Sequence, residues 1–321
     1  MRSVPRAVLA LVTAVAVLGA AACGDDGGDS GGQTTPPAQP KIKRDAANAG
    51  TRISVGTKNF AEQYVLGEIY AQALGAAGFD VVKRLDLGAE KVAFRALKRG
   101  RIDAYPEYTG TALTAFYGLR TQDVPRDKDE AFTRLARELR GDGVVALPPT
   151  PFQNTFVVTS TKATAGRLGS PSTISELAES AGSSSSISAF PECRERSDCL
   201  LGLKTVYGWT PRFVASEGKF EDLDQGQADF TFGFGTDGEL ALDKYVTYQD
   251  DRGLFPPYHV TFMLRREAAA RLGESGRAAI EAIQRPLTEE VMQGLNSEVT
   301  LEGKEPEAVA RDYLRREGFI R

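Results

Sequence analysis

The sequence predicts an α/β fold of two lobes joined by a hinge, with a mostly parallel sheet in the first. Short β-rich apolar runs alternate with segments whose apolar residues recur every three or four positions, as strands alternate with amphipathic helices. The alternation makes two successive units, the second beginning near Asn154. Proline clusters stand at both junctions, Pro148-Pro149-Thr-Pro151 and Pro256-Pro257, where a fixed φ suits a hinge. In such a fold the cleft between the lobes is the default binding site.

The first strand is expected over residues 52–57, and Asn59 can cap a helix running to about Ala77. That helix carries Val65, Leu66, Ile69, Tyr70, Ala73, Leu74 and Ala77 at helical spacing, a stripe that must face a core. A second strand over 81–87 leads to a helix with apolar Val92, Ala93, Ala96 and Leu97, which stops at Arg99-Gly100. Ile102 to Tyr105 reads as a short strand that Pro106 cuts off. Residues 128–140 read as helix and 144–147 as strand. In the second unit, strands are expected over 155–159, 187–190, 213–214, 229–232 and 245–248. Helices are expected from a capping box at Thr173-Ile-Ser-Glu176, then over 199–207, 220–225 and 238–243. From Thr261 the chain returns to a strand and then four helical segments, with no internal sequence repeat.

Composition narrows the function. At 41% hydrophobic residues, the 321-residue chain has ample material for two cores. A net charge of −4 and the lack of a basic run argue against a nucleic-acid partner. The single histidine, His259, leaves little room for a His-rich metal site or a His-based catalytic triad, and no cofactor or metal is expected.

The N-terminus reads as an export signal. Arg2 and Arg6 precede an apolar run, Ala7 to Ala22, that is too short and alanine-rich to span a membrane comfortably. It ends at Ala20-Ala21-Ala22-Cys23-Gly24, which resembles the lipobox of bacterial lipoproteins, with alanine where leucine is preferred three residues before the cysteine. On this reading residues 1–22 are removed, Cys23 is lipidated, and 23–50 form a disordered tether rich in Gly, Asp, Pro and Thr. Such a tether spans on the order of 30 Å. With Cys23 acylated, Cys193 and Cys199 remain as an even pair in an exported protein, which predicts a disulfide over two free thiols. Their Cys-Arg-Glu-Arg-Ser-Asp-Cys spacing has neither a redox nor a zinc form.

One stretch concentrates binding chemistry. Asp103-Ala-Tyr-Pro-Glu-Tyr-Thr-Gly-Thr111 places Tyr108, the Thr111 hydroxyl and a helix N-terminus at the C-terminal end of a strand, where ligands sit in open α/β sheets. A rim tyrosine beside an ordinary helix cap is the plain alternative.

Five motifs occur in order: Ile53-Ser-Val-Gly-Thr-Lys-Asn-Phe-Ala-Glu-Gln63, Ile102-Asp-Ala-Tyr-Pro-Glu-Tyr-Thr-Gly-Thr111, Asn154-Thr155-Phe156, Thr236-Asp237-Gly238 and Asp250-Asp-Arg-Gly-Leu-Phe-Pro-Pro-Tyr258. Together they resemble the substrate-binding proteins of ABC importers for glycine betaine, carnitine and choline, over about residues 51–321. The resemblance implies a class II periplasmic-binding-protein-like fold, with lobe 1 from 51–152 plus 257–321 and lobe 2 from 153–256. It implies a monomer that closes on a quaternary ammonium solute and delivers it to a membrane permease, on the extracytoplasmic face and lipid-anchored. It also implies an aromatic box for the ammonium, which maps onto Tyr108, Phe156, Phe234 and Tyr258. Relatives usually have tyrosine at all four positions; phenylalanine keeps the ring face that attracts a cation and loses only the hydroxyl. Core aromatics on buried strands are the plain alternative for Phe156 and Phe234. The ligand carboxylate maps onto Lys58, Thr111 and Arg196, with Arg194 a neighbouring candidate in a loop remodelled by the two cysteines. Relatives often have Leu-Gly-Gly-Thr where this chain has Leu87-Gly-Ala-Glu-Lys91, so Glu90 or Lys91 could tilt preference between a zwitterion and choline.

Two other classes stay open. The same fold could bind an amino acid or act as a sensor, and an Asp or Glu facing a ligand amine would favour that. A transferase on a two-lobed α/β frame would need a nucleophile with a base partner, and the sequence offers no such constellation.

Overall fold

The computed structural model describes residues 40–321. Residues 1–39, with the expected signal segment and Cys23, lie outside the described residues. In chain order the first elements are β1 (Arg52–Gly56), α1 (Ala61–Ala76), β2 (Asp80–Arg84), α2 (Glu90–Lys98), β3 (Ala104–Tyr108), the single turn α3 (Thr109–Thr111), α4 (Lys128–Leu139) and β4 (Val144–Ala146). Then come β5 (Phe156–Thr161), α5 (Lys162–Arg167), α6 (Ile174–Ala181), β6 (Ser186–Ala189), α7 (Leu200–Gly202), β7 (Arg212–Ala215), α8 (Phe220–Asp224), β8 (Phe230–Phe234) and β9 (Tyr245–Tyr248). The chain closes with β10 (Val260–Arg265), α9 (Arg266–Gln284), α10 (Glu289–Thr300) and α11 (Pro306–Arg316). Gly273, at φ 61°, breaks α9 in two, so four helical segments follow β10 as the sequence predicts.

Two five-stranded sheets result, ordered β2-β1-β3-β10-β4 and β7-β6-β8-β5-β9. Both are mixed rather than mostly parallel. In the first, β1 runs parallel to β2 and β3 while β10 is antiparallel to β3 and β4. In the second, β6 is parallel to β7 and β8 while β5 is antiparallel to β8 and β9. The sequence could not separate these cases, because a buried strand is apolar on both faces in either direction. The two sheets share one topology and even one clasp. Asp103, just before β3, accepts from the Ser54 N–H (2.9 Å) and hydroxyl (2.8 Å) on β1. Asp229, just before β8, does the same with Ser186 on β6 at 2.9 and 2.8 Å.

Pro106 does not cut its strand. β3 runs through it to Tyr108, with Pro106 opposite Phe262 of β10. The Phe262 carbonyl is turned to the other side, where Leu147 N–H donates to it, so β10 asks no N–H of residue 106. β1 pairs with β3 only at Ala104, so the proline nitrogen faces a side where the ladder has already ended. The helix start differs too: α1 begins after Phe60 in extended conformation, without a side-chain cap from Asn59. The predicted stripe on α1 is fully buried, from Val65 to Leu74 at 0% exposure and Ala77 at 1%.

The last part of the range expected to be a disordered tether, from Lys41 to Asn48, is held against the fold. Lys41 and Ile42 N–H donate to the carbonyls of Gly318 and Phe319, and Ile42 is buried. Asn48 is buried as well, its amide donating to the Ala77 carbonyl at 2.8 Å. Polar composition concealed a segment held by backbone pairing and one apolar side chain. The predicted disulfide is formed: Cys193 and Cys199, both buried, are joined with Cα atoms 5.3 Å apart. Among the described residues no helix is long and apolar enough to cross a membrane, and no cluster of His, Cys, Asp or Glu could hold a metal ion.

Candidate functional site

The parallel strands of both sheets end at one place. The segments after β1, β3, β6 and β8, together with the start of β5 and the approach to β10, line a cavity of about 170 Å³. All seven residues assigned to the ligand from the sequence line it: Tyr108, Phe156, Phe234 and Tyr258, with Lys58, Thr111 and Arg196. The volume equals roughly six waters, which suits a compact solute.

The rings form a continuous set. Phe156 stacks on Phe234 at 4.9 Å between centroids and meets Tyr258 edge-on at 5.5 Å. Phe60 stands between the lobes' rings, 6.2 Å from Tyr108 and 5.8 Å from Phe234. Phe156 is thus both core and cavity wall, 2% exposed yet on the lining. Gly110 makes the arrangement possible. A Cβ there would stand 2.7 Å from the Pro257 carbonyl and 2.9 Å from the Tyr258 ring.

Three of the rings carry a cation from the protein itself. The Lys58 ammonium lies 4.4 Å from the Tyr108 centroid and pairs with buried Glu107 at 2.5 Å. The Arg196 guanidinium lies 5.2 Å from Phe156, and Lys219 lies 4.6 Å from Phe234. Ring faces attract cations through their quadrupole, so these contacts mark the faces as cation positions. Arg194 is elsewhere, over Phe213 at 4.9 Å, and of Glu90 and Lys91 only Glu90 lines the cavity.

Arg196 and Asp198 form the strongest electrostatic feature. Nε and Nη2 of Arg196 reach the two oxygens of Asp198 at 2.8 and 2.5 Å, a bidentate fork inside the disulfide ring. Asp198 Oδ2 also accepts the Tyr258 hydroxyl at 2.7 Å, tying the ring to the approach of β10. Burial alone would raise the Asp198 carboxyl, but the Arg196 charge and hydrogen bonds outweigh it and hold the group below the usual carboxylate range. Burial works against the Arg196 charge in turn, and Asp198 with Glu90, 4.0 Å away, pushes the guanidinium up.

Glu62 is the second junction. Its carboxylate, on α1, accepts from Tyr108 (2.8 Å), Asn154 (2.9 Å), Asn296 (2.9 Å) and the Thr236 hydroxyl. Those donors come from both sheets' ends, the crossover and α10. With no cation beside it, burial pushes the Glu62 carboxyl up, against the pull of its four donors.

Sequence reasoning missed Phe60, Phe190, Lys219, Glu192 and Glu217 on the cavity wall, and Asp198, Glu107 and Glu62 behind it. Phe60 and Glu62 sat within a quoted motif at a strand end, which was a usable signal. Lys219 had none, since it meets its ring across fifteen residues of chain.

Residues 51–316 match the family described as the substrate-binding domain of ABC-type glycine betaine transport systems. A glycine-betaine-binding protein of Pseudomonas aeruginosa is 30% identical over 82% of this chain and 87% of its own. Glycine betaine-binding protein YehZ of Escherichia coli is 25% identical over 85% of this chain and 93% of its own. The fold is similar to a crystal structure of a glycine betaine/carnitine/choline ABC transporter protein, with a TM-score of 0.67 at 22% identity over 84% of this chain and all of that one.

Proposed function

Because the chain belongs to the family of substrate-binding domains of ABC-type glycine betaine transport systems, we propose that it captures glycine betaine or a close quaternary ammonium relative outside the cytoplasm for an ABC importer permease. The observation that supports this reading is the convergence of four aromatic side chains with Lys58, Arg196 and Thr111, groups able to bond a carboxylate, on one small cavity. A quaternary ammonium has no N–H to donate, so it must be held by ring faces and by exclusion of water. Each ring contributes about 0.5–2 kcal/mol, more when desolvated.

In this reading the ammonium sits among Tyr108, Phe156, Phe234 and Tyr258, on ring faces of which the first three now carry the protein's own cations. Lys58 and Arg196, with the Thr111 hydroxyl, turn to the ligand carboxylate. The lobes divide at 152/153 and 256/257, in keeping with the strand membership of the two sheets. Asp198 and Glu62 are the junctions that closure makes and opening breaks. The protein works as a monomer, anchored through acylated Cys23 after removal of residues 1–22, and it carries out no catalysis.

Glu90, Glu192 and Glu217 on the cavity wall favour a second reading, in which an acid meets the amine of an amino acid. Calorimetric titration of residues 40–321 separates the two, using glycine betaine, carnitine, proline betaine, choline and proline. Saturable binding of a quaternary ammonium, lost by 1–3 kcal/mol in Tyr108→Ala, is expected, with about that magnitude for one desolvated ring. Binding of proline alone would support the second reading, and no heat from any quaternary ammonium would overturn the first.

A further inference from the structure

Lys219 belongs to no motif and was not among the residues the ligand needs. It stands before α8 with φ 40°, a positive value rarely adopted by a residue other than glycine. Such strained positions persist where their surroundings over-determine them and gather at ligand sites. Here the surroundings are Asp237 and Phe234. The Lys219 ammonium bonds both Asp237 oxygens, at 2.7 and 2.9 Å, and lies 4.6 Å from the Phe234 centroid. Asp237 Oδ2 in turn accepts the Phe234 N–H at 2.8 Å, so ring, carboxylate and ammonium form one rigid unit. The remaining ring contacts of Phe234 are taken by Phe156 and Phe60, which stack on it.

Lys219 also stands between two cavities. A larger cavity of about 650 Å³ adjoins the inner one, and the two share Asn59, Phe60, Glu217 and Lys219 as a common wall. A solute moving from the outer cavity to the inner one therefore passes the ammonium, whose side chain is 25% exposed.

We propose that Lys219 is a specificity-determining residue, an internal cation on the Phe234 face that disfavours purely cationic ligands and admits those that also bring a carboxylate. The proposal rests on the quaternary ammonium reading of the cavity. A ligand ammonium can reach Phe234 only by displacing Lys219, and the displaced charge then repels it. A cation such as choline gives the displaced ammonium nothing in exchange. A zwitterion supplies an anion, which the freed lysine can bond as it now bonds Asp237. Specificity of this kind comes from a repulsive element against the wrong ligand as much as from attraction to the right one.

The test is the ratio of choline to glycine betaine affinity, measured by calorimetry in the wild-type protein, Lys219→Met and Lys219→Arg. Lys219→Met keeps the length of the side chain and removes the charge. It should tighten choline about tenfold, the scale of one unit charge removed near a partly solvated site, and weaken glycine betaine or leave it unchanged. Lys219→Arg should keep the wild-type ratio. Should the methionine variant fail to fold, Asp237→Asn serves instead. It keeps the acceptor for Phe234 N–H, leaves the ammonium uncompensated, and should widen the preference for glycine betaine. An unchanged ratio in Lys219→Met or in Asp237→Asn, with the wild type binding both ligands, overturns the proposal alone. A wild-type protein that binds neither ligand overturns the quaternary ammonium reading, and the proposal with it.

Discussion

Asp198→Asn is the most informative single change outside the ligand-lining set. The variant keeps the shape of the side chain and an oxygen for the Tyr258 hydroxyl, but removes the charge that faces Arg196. The pair is buried, with 10% of the Arg196 side chain and none of Asp198 exposed. Breaking a buried pair by removing one partner costs about 3–5 kcal/mol, because the other charge is left uncompensated. Glu90 remains 4.0 Å from Arg196, so the lower end, about 3 kcal/mol, is expected. For a domain of this size, at about 2–4 °C per kcal/mol, the melting temperature should fall by roughly 6–12 °C. A ligand carboxylate can replace the missing anion, so saturating glycine betaine should raise the variant's melting temperature by more than it raises the wild type's. Choline, lacking a carboxylate, should not. Thermal unfolding of both proteins with each ligand reads all of this. A variant melting within about 1 °C of the wild type, or rescued equally by both ligands, would refute the assignment of Arg196 as a cation shared between Asp198 and the ligand.

Three further outcomes are expected. Reduction of Cys193–Cys199 releases the ring that holds Arg196 and Asp198, so glycine betaine affinity should fall along with about 2 kcal/mol of stability; titration with and without reductant checks it. Gly110→Ala places a Cβ against Pro257 and Tyr258 and should cost about 1–3 kcal/mol by overpacking, measured as a lower urea midpoint. Burial raises the Glu62 carboxyl above its unfolded value of about 4.3, so the native state keeps that proton longer than the unfolded chain. Its contribution is then greatest below the unfolded value and declines as pH rises through the folded one. Glu62→Gln should remove that slope from the difference between the two proteins' stability–pH curves, and parallel curves would contradict the shift.

What could be read from the sequence was whatever lay next to a strand end. Tyr108 closes β3 and Thr111 lies three residues beyond it, so local pattern alone placed them near a binding edge, whereas Lys58, two residues past β1, was picked out by its motif. Tyr258, Phe156 and Phe234 needed the ordered motifs, because an aromatic on a buried strand has the same local signature whether it lines a cavity or fills a core. Asp198, Glu62 and Lys219 were hidden for a different reason. Thr236 lies 174 positions from Glu62 and Tyr258 lies 60 from Asp198, and no periodicity reports a partner at such range. Pro106 misled because its effect depends on which neighbour stops pairing first, a property of the sheet and not of the strand.

The position of β10 has a consequence for how the chain comes to exist. It lies between β3 and β4, so the first sheet stays split until residue 265 has been made, although four of its strands are complete by residue 146. The second sheet needs nothing outside residues 156–248 and can close as one uninterrupted stretch. Joining distant strands late bears the heavier loop-closure entropy and makes the slower step. Tyr258 arrives on the same late segment, with Asp198 waiting for it. A chain emerging from its N-terminus therefore has every strand of the second sheet before it has every strand of the first, and Tyr258 of the cavity wall comes only with the approach to the last strand.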